Sequence, residues 1–203
     1  LRDHGFAVLL FDFQAHGESG GERVTYGWRE SFDAAAAVEF VRQRLPRERV
    51  GVIGVSLGGA AALLGPGPLK VDAFVLESVY PDIDRALANR LSTSLGRFAG
   101  PLLTPLLVAA FKLLLPPVLG VVADKLRPID RIGGISAPLL LASGSADRRT
   151  PLHEAKLLFD AAPEPKRFWV VEGAAHVDLE AHNPGEYWRV VLPFLEGTLR
   201  TSH

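Results

Sequence analysis

The 203-residue chain contains no cysteine and no methionine. Without cysteine there is no disulfide framework and no thiolate nucleophile, while the cellular compartment is left open. No sign of charge is in excess: 22 Lys and Arg stand against 23 Asp and Glu, for a net charge of −1. A basic nucleic-acid surface is therefore not indicated. The six histidines do not fall at compact metal-ligand spacing, so no metal and no cofactor is expected. The chain opens on Leu1, and Leu1–Leu10 lacks the basic head and long apolar core of a signal peptide. That start reads as internal to a longer protein, and a cytoplasmic location is the expectation. With 48% hydrophobic residues, the length suits one large domain, with or without a small insertion.

What is present centres on Val50–Leu64, V-G-V-I-G-V-S-L-G-G-A-A-A-L-L. Val50, Val52, Ile53 and Val55 make a β-branched run that fits a buried strand, and Leu57–Leu64 has the small, apolar composition of a buried helix. Gly54-x-Ser56-x-Gly58 thus lies between a strand and a helix, the context of a nucleophile elbow. A sharp turn there lifts the Ser56 hydroxyl above the sheet edge. Missing Cβ atoms at 54 and 58 let neighbouring backbone approach. The Leu57 N–H, at a helix N-terminus, can face developing negative charge. The elbow geometry predicts φ > 0 at Ser56. The plain alternative is a glycine-rich turn whose serine only caps the helix.

Phe6–Phe13 reads as a buried strand, followed by the Gly-rich loop Gln14–Gly21, in which His16 is expected to hydrogen-bond loop backbone and fix the turn. Trp28–Leu45 reads as a helix, with Phe32, Ala36 and Phe40 at i+4 spacing and Ala37, Val41 and Leu45 widening the stripe. Strands follow at Val71–Ser78, Pro138–Ser143 and Arg167–Glu172. Helices are expected at Pro151–Ala161 and Pro184–Leu199. Five strands alternating with helices imply an α/β domain with a mainly parallel sheet and helices on both faces.

Tyr80–Arg131 is too long for an ordinary crossover. Its centre, Pro101–Ala123, is apolar except for Thr104 and Lys112 and long enough to raise the question of a membrane span. Pro105, Lys112, Pro116-Pro117 and Gly120 argue against one continuous span. Two short amphipathic helices forming a cap over the carboxyl edge of the sheet fit better, with a greasy wall toward the substrate. The chain accordingly divides into core segments 1–79 and 132–203 and a helical cap, 80–131.

Ser56, Asp147 and His176 each follow an expected strand, so all three belong at the carboxyl edge of the sheet. A serine hydroxyl needs an imidazole to accept its proton, and the imidazole needs a carboxylate to hold its tautomer. Asp82 and Asp178 are competing acids, although Asp178 is close in sequence to His176 for reaching its far nitrogen.

On D-F-Q-A-H-G-E-S at 12–19, G-V-S-L-G at 54–58, G-S-A-D-R-R-T-P at 144–151 and G-A-A-H at 173–176, the chain resembles an α/β-hydrolase of the serine esterase, lipase and peptidase-like superfamily along essentially its whole length. The resemblance implies Ser56 as nucleophile, Asp147 as acid, His176 as base and Leu57 as one oxyanion donor. It also implies a cap at 80–131. It places three strands ahead of Phe6–Phe13, one of them lying between that strand and the elbow strand and followed by a loop that supplies the second oxyanion N–H. These are absent from this sequence and are expected in an amino-terminal segment. The expected activity is hydrolysis of small hydrophobic esters of modest acyl length. A thioesterase, an aminopeptidase-like enzyme using Glu77 and Asp82 to hold an amine, and a non-catalytic binding module are the alternatives.

Overall fold

The computed structural model describes residues 1–176 and 179–200. Four parallel strands form its sheet: β1 (Gly51–Val55), β2 (Ala73–Glu77), β3 (Leu139–Gly144) and β4 (Lys166–Val171), in the order β1-β2-β3-β4. The helices are α1 (Glu30–Arg44), α2 (Leu57–Leu63), α3 (Ile83–Leu119), α4 (Leu152–Ala161), the single turn α5 (Leu179–His182) and α6 (Pro184–Leu199).

The sheet order explains the layering. Parallel neighbours joined by right-handed crossovers place each connecting helix on the same face. Alternate residues then divide between two cores. Phe74, Leu76, Leu139 and Leu141 pack with Leu63 of α2, Ile83 and Leu87 of α3 and Leu158 of α4. Val75, Leu140 and Ala142 point the other way, onto Tyr187, Val191 and Leu195 of α6. Thus α6 covers the face that the crossovers leave bare, and helices lie on both faces. β2 and β3 are buried along their whole length, as apolar runs in a covered parallel sheet should be.

Three expectations need correction. Phe6–Phe13 belongs to no strand, and Val8, Leu9, Leu10 and Phe11 are exposed, so among the described residues the sheet has four strands rather than five. β-branched and aromatic composition favours a strand, but only a ladder partner makes one, and β1 is not hydrogen-bonded to this segment. In α1, Phe32 and Phe40 lie exposed, and the helix meets the core through Val41 of the expected stripe and through Ala34 and Val38, which lie outside it. Spacing of i+4 defines a stripe without saying which stripe faces inward. Between β2 and β3 the helices are not short. α3 runs from Ile83 to Leu119 with Pro101, Pro105, Pro116 and Pro117 inside it, and its one break is at Gly96 (φ 72°, ψ −177°). There the chain doubles back, so that Lys112 Nζ reaches Asp84 Oδ2 at 2.8 Å.

Candidate active site

β1 delivers Ser56 directly onto the start of α2. The serine adopts φ 50°, ψ −109°, a strained conformation for a residue with a Cβ, at a cost of about 1–3 kcal/mol. Two contacts hold it there. Its N–H donates to the Glu77 carbonyl at 2.8 Å, and its own carbonyl accepts from Ala60 N–H at 3.0 Å. The glycine bracket works differently from the sequence expectation. A Cβ on Gly54 would meet Gly59 Cα and N at 2.8 Å, and one on Gly59 would meet Val79 Cγ2 at 2.2 Å. A Cβ on Gly58 would meet only Phe13 Cε2, at 4.0 Å. Gly54 and Gly59 are therefore the pair that permits the close strand–helix approach, and Gly58 is not needed for it. Leu57 is the first residue of α2, so its N–H lies in the first helical turn, where no intrahelical carbonyl accepts it.

His176 and Asp147 come from the turns after β4 and β3. The two turns are tied together. Ala146 N–H donates to the Ala174 carbonyl at 2.9 Å, Ser145 N–H to the Val171 carbonyl at 3.0 Å, and Gly173 N–H to Ser145 Oγ at 2.8 Å. A Cβ on Gly144 would lie 2.2 Å from the Ala174 carbonyl oxygen, so a side chain at 144 would push the turns apart. The result brings three residues separated by up to 120 positions into one chain of contacts. Ser56 Oγ lies 3.0 Å from His176 Nε2, and His176 Nδ1 lies 2.9 Å from Asp147 Oδ2.

The carboxylate is well supplied. Asp147 Oδ1 accepts from the N–H groups of Arg149 at 2.8 Å and Thr150 at 2.9 Å, and Oδ2 accepts from the Thr150 hydroxyl at 2.5 Å. Burial opposes the negative charge, but the hydrogen bonds from His176 and Thr150 outweigh it and hold the carboxyl below its ordinary value. Thr150 escaped the sequence reading as a functional residue. The D-x-x-T spacing in 147–150 is the signal that could have found it, since an Asp readily accepts from N–H groups and hydroxyls two or three residues on. Thr150 Oγ1 also lies 3.3 Å from the carbonyl of Ser78. Ser78 is a second residue at φ 50° on this sheet edge.

The other candidates fall elsewhere. Asp82 caps α3, accepting from Arg85 N–H at 2.9 Å and from the Arg85 guanidinium, and does not meet His176. Glu77 is buried and accepts from the Tyr187 hydroxyl at 2.6 Å. Burial drives its carboxyl above the ordinary value, against the opposing effect of Tyr187. Asp178 lies outside the described residues. His16 Nδ1 donates to the Gln14 carbonyl at 2.9 Å, the loop-fixing contact expected of it. Among the described residues no set of three His, Asp or Glu side chains is placed to hold a metal ion. Two surface hollows, of about 510 and 410 Å³, are lined by Leu1, Arg2, Asp3, Val8 and Trp188, and by α3 residues on both sides of Gly96; neither includes a member of the Ser56–His176–Asp147 set.

Residues 1–115 match the family model described as alpha/beta hydrolase fold. Over 196 residues, or 93% of this chain, the sequence is 32% identical to the alpha/beta hydrolase domain-containing protein WAV2 of Arabidopsis thaliana. Over 198 residues it is 28% identical to the uncharacterized protein YqkD of Bacillus subtilis, covering 96% of this chain. The chain spans only 60% and 63% of those two relatives. Among solved structures it is similar to the Pyrococcus furiosus esterase Pf2001, with a TM-score of 0.74 and 25% identity over 98% of this chain and 73% of that one. The Paleococcus ferrophilus monoacylglycerol lipase shares the fold, with a TM-score of 0.63 and 23% identity over 97% of this chain and 85% of that one.

Proposed function

Since the chain belongs to the alpha/beta hydrolase fold family, we propose that it is a serine hydrolase that cleaves carboxylic esters of hydrophobic, modest-length acyl groups through an acyl-enzyme. One observation carries the reading: a strained Ser56 whose hydroxyl lies 3.0 Å from an imidazole that is itself held at 2.9 Å by a buried carboxylate. A serine that merely capped α2 would accept from the helix's first-turn amides, but no such side-chain bond is made.

In the proposed reaction His176 Nε2 accepts the Ser56 proton as Oγ attacks the ester carbonyl carbon. Asp147 holds the Nδ1–H tautomer and stabilises the imidazolium that forms. The Leu57 N–H, with the positive end of α2 behind it, faces the developing oxyanion. His176 then protonates the departing alkoxide, and water, activated by the same imidazole, releases the acid and restores Ser56. The preference for hydrophobic acyl groups rests on the apolar composition of the insertion between β2 and β3, whose first arm reaches the turn carrying Asp147 through Asn89. Both acids required by an amine-binding reading are engaged, Glu77 by Tyr187 and Asp82 by Arg85, which favours esters over free-amine substrates.

The test uses the full-length protein and p-nitrophenyl esters of increasing acyl length. The parent hydrolyses the shorter esters and is labelled by a fluorophosphonate. Ser56→Ala lowers turnover on the order of 10⁶-fold and removes labelling. Turnover within severalfold of the parent in Ser56→Ala refutes the mechanism. A folded parent that neither turns over any ester nor labels favours the binding-module reading.

A further inference from the structure

The arm of α3 beyond Gly96 has two unlike sides. Its inner side is docked: Val108, Phe111 and Leu119 pack against the core, Leu115 is buried, and the Phe111 ring meets Tyr26 edge-on at 5.8 Å. Its outer side carries Phe98, Leu102, Leu106 and Leu113, which are 84%, 78%, 67% and 78% exposed. Their spacing of four, four and seven residues keeps them on one stripe, and Leu114 and Val118 extend it. Single exposed leucines are ordinary, but a continuous stripe of this kind marks an interaction surface.

The charge around the stripe points to the partner. Between Asp84 and Asp124 the chain carries Arg85, Arg90, Arg97 and Lys112 and no Asp or Glu, although the whole chain has a net charge of −1. Arg85 is paired with Asp82 and Lys112 with Asp84, so Arg90 and Arg97 are the cations of this stretch that make no ion pair among the described residues, on a chain whose net charge is negative. The Arg97 guanidinium lies over the exposed Phe98 ring, 4.8 Å from its centroid. It places a positive charge at the margin of the stripe, where a lipid headgroup would lie against an inserted ring.

We propose that the outer side of this arm docks on an anionic bilayer surface and lies in the interface without crossing it. A span is ruled out by the docked inner side, by the Lys112–Asp84 ion pair and by the reversal at Gly96. Apolar insertion supplies the affinity, and the cations add attraction to phosphate-bearing headgroups. The other arm reaches the catalytic edge: Asn89 Nδ2 donates to the Arg149 carbonyl at 3.1 Å, two residues from Asp147. A docked molecule would thus hold its catalytic edge near the lipid.

The experiment is flotation of the full-length protein with vesicles of phosphatidylcholine alone or mixed with phosphatidylglycerol. The parent should float with the mixed vesicles, more weakly with phosphatidylcholine, and less at high salt. Arg90→Gln with Arg97→Gln should weaken partitioning to mixed vesicles roughly fivefold per cation removed. Phe98→Ser with Leu102→Ser and Leu106→Ser should abolish flotation with either vesicle. Leu102→Trp supplies a readout that does not depend on weakening the fold: its added emission should shift to the blue with mixed vesicles and be quenched by brominated acyl chains. A parent that stays unbound overturns the proposal, as does added emission that stays unquenched when the Leu102→Trp variant is bound. A triple-serine variant that floats like the parent, or one whose only change is from dimer to monomer without lipid, overturns it equally, the latter by assigning the stripe to a second copy.

Discussion

Thr150→Val isolates the hydroxyl that backs Asp147. Valine keeps the shape and the main-chain N–H of residue 150, so the bonds to Asp147 Oδ1 from the amides of 149 and 150 survive. What is lost is chiefly the 2.5 Å bond from Thr150 Oγ1 to Oδ2, with the longer 3.3 Å contacts of the same oxygen to the Ser78 carbonyl and His176 Nδ1. The carboxylate is buried, so solvent does not screen the loss, and a bond to a charged acceptor contributes about 1.5–3 kcal/mol. For a domain of this size that corresponds to a fall in Tm of roughly 3–12 °C. The loss depends on pH. Because the folded carboxyl is held below its ordinary value, its contribution to stability is complete above the unfolded pKa of about 3.9 and disappears as pH falls through the folded value. The gap between parent and variant should therefore be full at neutral pH and close below about pH 4. Urea unfolding followed from pH 7 downward measures it. Hydrolysis should fall by less than about tenfold, because two amides still aim the carboxylate at His176. A stability gap below about 0.5 kcal/mol at pH 7, or one that stays constant into acid, would refute the argument that Thr150 acts through the ionised Asp147.

Three further changes separate this structure from simpler readings of the same residues. Gly59→Ala should destabilise by about 1–3 kcal/mol through overpacking and lose hydrolysis as the elbow shifts; Gly58→Ala, whose Cβ meets nothing closer than 4.0 Å, should be neutral or gain up to about 1 kcal/mol. Equal effects at 58 and 59 in thermal melts and ester assays would contradict the packing. Asp82→Ala should cost about 0.5–2 kcal/mol as a lost cap of α3 while ester turnover is retained; loss of turnover in a folded variant would mean that Asp82 serves His176. Glu77→Gln can still accept from Tyr187. Since the native carboxyl is held above its ordinary value, the parent loses stability as pH rises from about 4.5, so the Gln variant should gain on the parent over that range in paired urea titrations, and a gap that narrows with rising pH would contradict the burial argument.

Local chemistry is legible in the residues themselves. A β-branched run meeting a small-residue helix at G-x-S-x-G is enough to place Ser56 at a strand–helix turn with positive φ, because strand period, helix composition and backbone sterics are properties of a few adjacent residues. The same holds for Asp147 and His176 as residues that follow strands, and for the span of α6. Which side of an element is covered is another matter. The i+4 spacing of Phe32 and Phe40 is genuine, yet of the expected stripe the core took Val41 and filled in with Ala34 and Val38 instead of the two rings. The apolar run of 6–13 has strand composition, yet no ladder receives it. Prolines that suggested a broken insertion are carried within α3, and the reversal came at Gly96. Only tertiary structure distinguished Gly59 from Gly58, brought Ser56 to His176, and engaged Glu77 with Tyr187. The reason is that these outcomes are set by atoms far apart in sequence: Val79 against Gly59, Tyr187 against Glu77, and the turn at 174 against Gly144. Sequence periodicity carries each element's own geometry, whereas its neighbours are chosen by the crossovers that stack one element on another.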